Sequence, residues 1–324
     1  MKRSGLRSLL LALVTITFVA GCTSMNYAYI DEHGIKKVQT PVEEAKVEKY
    51  WTEKRMKRAK AYKAPKIRKK QFKQLISKQT RESEVYTIEP SDRAGKYDVK
   101  KPRGVNGKAT RANVKQRPFW NGGKFYFTKG KKDYYCSAEF VGSDRVVMTA
   151  AHCVTDGKGK WYKNFLFRRA YKNGGGQKVG WKCMSVMRNY FQGGDLSYDY
   201  AFIYSSKDSG AGWLGFRTGV PYANWWSIGY PNNYNRGRYM YKAHGDKGRV
   251  SGGTVEMLKN PMKHGSSGGA WIGDLTIPHV GGNYAIGLNS YYVRSNPNNV
   301  FSPYFNSTTY YLLNYVKDRK CMKV

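Results

Sequence analysis

The sequence predicts an all-β domain of many short strands behind a basic leader segment, and three observations predict it. The 324 residues contain 35 Gly, 27 Tyr and 13 Phe, a composition suited to strands joined by tight turns. Turn clusters interrupt aromatic, β-prone runs at Asn121-Gly122-Gly123, Asn173-Gly174-Gly175-Gly176 and Pro231-Asn232-Asn233. The residues before about Pro118 are of a different kind, densely basic and poor in large apolar side chains.

Taken in order, the chain begins with Lys2, Arg3 and Arg7, then an apolar stretch from Leu9 to Ala20 and Gly21-Cys22. A basic start followed by a short apolar run is a secretory signal, too short for an ordinary membrane span. Between Thr23 and Arg117 lie Lys54-Arg55, Lys57-Arg58, Lys66, Arg68-Lys69-Lys70 and Lys73. From about Val42 to Ser77 this stretch can form helix, interrupted at Pro65, while Pro90 to Arg117 reads as flexible linker. The expected organisation is 1–21 signal, 22–117 basic tether or pro-segment, and 118–324 the β domain. No internal repeat is evident.

The chemistry lies in three stretches of the β domain. Gly265-Ser266-Ser267-Gly268-Gly269-Ala270 puts a serine among glycines, where a tight turn lets backbone approach a substrate carbonyl. The amides of Gly265 and Ser267 can then converge on the oxygen that becomes negative in acyl transfer. Thr149-Ala150-Ala151-His152-Cys153 supplies an imidazole to take the serine proton, and Tyr198-Asp199-Tyr200 a carboxylate to orient the imidazole. The order His152, Asp199, Ser267 is that of the chymotrypsin arrangement and differs from the orders in subtilisins and α/β-hydrolases. The spacing suits a chain crossing between two β-barrels.

From about Pro118 to Val316 the chain resembles a trypsin-like serine peptidase of the chymotrypsin fold, with closer likeness to the bacterial branch that includes the glutamyl endopeptidases. The likeness is carried by the triad stretches and by four others. Gly123-Lys124-Phe125-Tyr126-Phe127-Thr128 resembles the first strand, and Cys136-Ser137-Ala138-Glu139-Phe140-Val141 the strand leading to the histidine. Ile228-Gly229-Tyr230-Pro231 resembles a characteristic turn, and Gly287-Leu288-Asn289-Ser290 the strand lining the substrate cleft. The resemblance implies two six-stranded antiparallel β-barrels with a short C-terminal helix near Tyr310–Lys317. It implies a serine endopeptidase acting through an acyl-enzyme, with Ser290 supporting Asp199. It also implies a Cys136–Cys153 disulfide beside the histidine.

Two departures from the trypsin pattern concern activation and specificity. Ser266 stands where trypsins carry the aspartate that receives a new α-ammonium after zymogen cleavage, so activation by that ion pair is not expected. Pro261 stands where trypsins place the carboxylate that selects Lys or Arg. Asn289 stands where glutamyl endopeptidases place a histidine, and a neutral amide is a weaker partner for a substrate carboxylate. His264, beside the oxyanion turn, is a candidate replacement, with an ordinary loop role as its alternative. Pro261, His264 and Asn289 are therefore candidate lining of the substrate pocket, with the preferred residue open.

Val19-Ala20-Gly21-Cys22 resembles a bacterial lipobox, in which Cys22 is acylated and becomes the first mature residue. The alternative is a plain cleaved signal with an incidental cysteine. Thr23, not an aspartate, follows Cys22, which points to the outer membrane over the inner membrane of a bacterial envelope. With Cys22 acylated, Cys183 and Cys321 are left as a second candidate disulfide, in keeping with an oxidising compartment. No His/Cys spacing makes a zinc site, and neither metal nor cofactor is implied. The formal net charge of +35 implies attraction to polyanions. For an envelope protein these are anionic lipid headgroups or wall polymers in preference to nucleic acid, and the other partner is a protein or peptide substrate. The alternative to a peptidase is a non-catalytic envelope lipoprotein that uses the same fold and its basic segment to hold a partner.

Overall fold

The computed structural model describes residues 29–30, 34–40, 44–77, 80, 84–91, 102, 104–277 and 282–323. The expected signal segment and Cys22 lie outside the described residues. Among the described residues the chain forms two large sheets, of ten and eleven strands, and few helices. The first sheet centres on Gly122–Lys129, Lys132–Phe140, Val146–Thr149, Lys163–Lys172, Trp181–Met187 and Ala201–Ser205. The second centres on Asn224–Gly229, Tyr241–Ser251, Thr254–Met257, Ala270–Gly273, Tyr284–Leu288 and Asn296–Pro303. This is the expected two-barrel arrangement.

The leader segment adds three strands to each sheet, and without them the sheets still hold seven and eight strands, more than the expected six. Ile35–Gln39 pairs antiparallel with Trp181–Met187, and Lys60–Ala61 pairs parallel with Lys132–Phe140. On the second sheet, Lys66–Ile67 pairs parallel with Tyr291–Val293. Thr87–Ile88 and Ala109–Arg111 pair antiparallel with Gly215–Arg217 and Tyr241–Ser251. The expected helical stretch is real but broken into Glu44–Tyr50, Glu53–Arg58 and Lys69–Ile76. What sequence inspection undervalued is how few apolar residues are needed to fix such a segment. Trp51 is fully buried against Tyr126, with its indole N–H donating to Asn164 O at 2.6 Å. Met56, Val47, Ile35 and Val38 are buried as well. Fully burying such a side chain is worth about 1.5–3 kcal/mol.

The C-terminal helix runs Ser307–Lys317, starting before the expected Tyr310 because Asn306 caps it. The Asn306 side chain accepts from the amides of Thr308 and Thr309. Leu312, Leu313 and Val316 form its buried face. Beyond it, Cys321 is disulfide-bonded to Cys183, tying the C-terminus to the first sheet. Asn121-Gly122-Gly123 is not a loop as its composition suggested. Gly122 and Gly123 already belong to a strand, and a Cβ on Gly123 would lie 2.2 Å from Arg168 O.

One core position opposes folding. Lys124 points inward from the first strand and is 4 % exposed, its ammonium 3.6 Å from the centre of the Tyr135 ring and 4.7 Å from that of Tyr171. Burial pushes its pKa from 10.5 down to about 7. The folded chain thus binds fewer protons than the unfolded chain between those values, so stability rises with pH across that window. The penalty is fully present below about pH 7. Lys124→Met is expected to raise the melting temperature at pH 6 by more than at pH 10, read from paired thermal melts of variant and parent.

Candidate active site

Asp199 follows the short Leu196–Tyr198 turn and is fully buried at the mouth of the Ala201–Ser205 strand. His152 sits in the Ala151–Cys153 turn, held on the neighbouring strand by the Cys136–Cys153 disulfide. Asp199 Oδ2 lies 2.7 Å from His152 Nδ1, and Oδ1 accepts the His152 backbone N–H at 2.8 Å. The Ser290 hydroxyl donates to Oδ2 at 2.5 Å. Two bonds to one ring residue fix the imidazole in place and in plane, and the third satisfies the buried charge. Cys136, His152 and Cys153 bring their ligand atoms within 4.8 Å of one another, yet both sulfurs are consumed by the disulfide.

Ser267 occupies the Gly265–Gly269 turn. This turn is held from below by Ser137, whose hydroxyl donates to Gly265 O at 2.9 Å and whose amide donates to Ser267 O at 2.8 Å. Close approach is what requires glycine here. Gly265 has φ +89°, and a Cβ there would be 2.6 Å from the Tyr135 ring. Gly268 has φ +81°, and its Cβ would be 2.2 Å from Thr149 Oγ1 and 2.4 Å from Ser137 O. Ser267 Oγ and His152 Nε2 are both buried and both lack a hydrogen-bond partner. Ser266 turns away and bonds its own loop, donating from Oγ to Lys263 O at 2.7 Å.

The three candidate pocket residues fare differently. Asn289 is a buried brace and not a pocket wall. Its Oδ1 accepts from Ser227, Asn260 and Trp271, and its Nδ2 donates to the carbonyls of Ile228 and Ser266. No part of that amide remains for a substrate carboxylate. Pro261 contributes a carbonyl that accepts from Asn233 Nδ2. His264 meets the leader segment, with Nδ1 accepting the Ala64 N–H at 3.1 Å. Burial, then Lys63, Lys66 and Lys263, push its pKa down.

Sequence reasoning missed the residue that fills the cleft. From Lys60 the chain runs along Tyr134–Tyr135, crosses the Gly265 turn, and leaves along Tyr292–Val293. Tyr62 N–H donates to Tyr135 O at 2.9 Å, and Tyr62 O accepts from Gly265 N–H at 3.2 Å. A peptide carbonyl therefore sits on one of the two amides expected to receive an oxyanion. The Tyr62 ring lies over His152, centroids 6.1 Å apart. With this strap in place His152 is 4 % and Ser267 1 % exposed. A lone Tyr in a lysine-rich stretch carries no signal of its own that could have revealed this.

Solved structures similar to this chain are serine proteases. Protease Anisep from Arthrobacter nicotinovorans matches with a TM-score of 0.56 and 26 % identity, over 64 % of this chain and 98 % of its own. The thermostable serine protease AL20 from an extremophilic microorganism matches with 0.52 and 28 %, over 62 % and 98 %. A Glu endopeptidase matches with 0.55 over 65 % and 96 %, and at 16 % identity it speaks for the fold alone. No family model and no curated protein matches the chain. In architecture the chain has the chymotrypsin fold, and the neighbours that share it at 26 and 28 % identity are serine proteases.

Gly268→Ala is expected to destabilise the protein by about 1–3 kcal/mol, the range for an L-residue forced into left-handed backbone. Denaturant unfolding would read the loss, which should exceed that of Gly130→Ala, where nothing lies within 4 Å of the added Cβ.

Proposed function

We propose that this protein is a serine endopeptidase of the bacterial envelope, held in a latent state by its own leader segment. Ser267 attacks the scissile carbonyl as His152 takes its proton and later returns it to the leaving amine. Asp199, steadied by Ser290, keeps the imidazole in the useful tautomer and stabilises the imidazolium. The amides of Gly265 and Ser267 receive the developing oxyanion. The strongest support is a pair of unpartnered buried atoms, Ser267 Oγ and His152 Nε2, beside an imidazole whose other nitrogen is already committed to a carboxylate. Other buried polar atoms among the described residues also lack partners, both Glu139 carboxylate oxygens included, so the support comes from the company these two keep, an imidazole oriented by Asp199.

Within residues 22–117, the stretch 60–67 acts as a pro-segment. It covers the nucleophile and occupies the Gly265 amide, so substrate enters only when it leaves. Acylation of Cys22 anchors the chain, and the exposed Lys54, Lys57, Arg58, Lys69, Lys70 and Lys73 face anionic envelope polymers or headgroups.

A fluorophosphonate probe tests this directly. The parent chain is expected to label slowly at Ser267 and the full-length Tyr62→Ala variant on the order of tenfold faster. Ser267→Ala should not label, and should lower peptide turnover by on the order of 10⁴-fold or more. A well-folded Tyr62→Ala chain that stays inert would favour the alternative, a binding lipoprotein that keeps the fold without the chemistry.

A further inference from the structure

The occupant of the cleft also describes what the cleft holds. The Tyr62 ring is enclosed on several sides by other rings. Phe127 and Tyr134 meet it edge-on with centroids 5.2 and 5.1 Å away. Tyr162 does so at 6.0 Å, and His152 lies parallel at 6.1 Å. The phenol is read as well as the ring. Its hydroxyl lies 2.9 Å from Tyr162 Oη and accepts from Lys129 Nζ at 2.7 Å. Edge-on pairs of this kind add to what area burial provides, and a polar tip with two partners discriminates Tyr from Phe.

The walls do not depend on their occupant. Phe127 stacks on Tyr162 with centroids 5.1 Å apart and on Tyr134 at 5.9 Å, and Phe165 backs Phe127 at 6.5 Å. Phe127 is fully buried and Tyr162 is 7 % exposed. Withdrawal of Tyr62 would leave a lined recess beside His152 and the Gly265 turn.

We propose that the recess formed by Phe127, Lys129, Tyr134, His152 and Tyr162 is a substrate subsite that takes a tyrosine side chain from a residue flanking the scissile bond. This rests on the peptidase reading above for the word substrate, whereas the binding specificity of the recess stands without it. The specificity of the enzyme is then set beside the imidazole, by aromatic packing and a phenol clamp, and not at Asn289 or Pro261.

The experiment uses the full-length Tyr62→Ala protein, in which the recess is vacated. Synthetic peptides of residues 59–66, carrying Tyr, Phe or Ala at the position of Tyr62, are titrated by calorimetry. The Tyr peptide is expected to bind at least tenfold more tightly than the Ala peptide, with Phe between them. Tyr162→Phe in the same background should weaken the Tyr-over-Phe preference, leaving the part that Lys129 supplies, while sparing the preference for either ring over Ala. Peptide substrates scanned from two residues before to two after the scissile bond should show a matching gain in kcat/KM for Tyr at one flanking position. Affinities indifferent to the side chain, or a Tyr preference untouched by Tyr162→Phe, would overturn the proposal. Because calorimetry needs no turnover, an inert Ser267 would sink the peptidase reading and leave this one to be judged on its own. If Tyr62→Ala does not fold, Tyr162→Phe in the parent chain gives the same answer through faster probe labelling of Ser267, and an unchanged labelling rate counts against the subsite.

Discussion

A carboxylate with no access to water is the constraint around which this molecule is arranged. Asp199 is completely buried, and an isolated, unpartnered charge in that position would cost enough to oppose folding. Three donors prevent this, from the His152 backbone, the His152 ring and the Ser290 hydroxyl. They come from distant parts of the sequence, two from the first sheet and one from the second. The two sheets must therefore meet at this carboxylate, and their docking orients the imidazole without further help. The Cys136–Cys153 disulfide and the Ser137 props beneath Gly265 and Ser267 carry the same alignment into the nucleophile turn.

The same rigidity explains why a short piece of leader can cover the site. The cleft offers unpaired backbone at both ends, Tyr134–Tyr135 on one side and Tyr291–Val293 on the other, and an extended segment satisfies both by strand addition. Between those ends Gly265 N–H needs an acceptor and finds Tyr62 O. The strap thus exploits groups that a reacting peptide would use. Its basic character has a smaller part in this: Lys63, Lys66 and Arg68 are exposed, with the Lys66 ammonium 5.6 Å from the centre of the Tyr292 ring, while Tyr62 and Ile67 pack against the domain.

Much of the β domain was legible because its signals are local and strict. Glycines at 265 and 268 are dictated by positive φ and by atoms 2.2 to 2.7 Å from a Cβ, so the motif announces its own geometry. The His152, Asp199 and Ser290 positions were legible for a related reason, since a buried charge tolerates few substitutes. Asn289 was misread because an amide on a cleft strand looks the same in sequence whether it faces substrate or, as here, five partners in the interior. The leader was read as a basic tether or a pro-segment, and composition left the two open. Its placement depends on single residues such as Trp51 and Tyr62 finding recesses made by strands about 65 to 115 residues away. Such tertiary complementarity leaves no periodicity to read.

How firmly the strap is held follows from its attachment on both sides. Each contact in residues 60–67 is an ordinary backbone or ring interaction, and a free peptide making them would bind weakly. Covalent attachment raises the effective concentration of the segment at the cleft to the millimolar range or above, so modest contacts suffice for near-complete occupancy. On the N-terminal side the anchor is Trp51, with Arg55 paired to Asp133 at 2.6 Å. On the C-terminal side it is Phe72 against Phe301, with Thr87–Ile88 in the second sheet beyond. One break outside the strap would leave the other anchor in place and the effective concentration high. On the latent reading proposed above, release would require a break within the strap itself, where the bonds after the exposed Lys63 and Lys66 lie. Once cut there, each half keeps its own anchor but only part of the contacts, and Tyr62 holds the recess with little more than its own affinity.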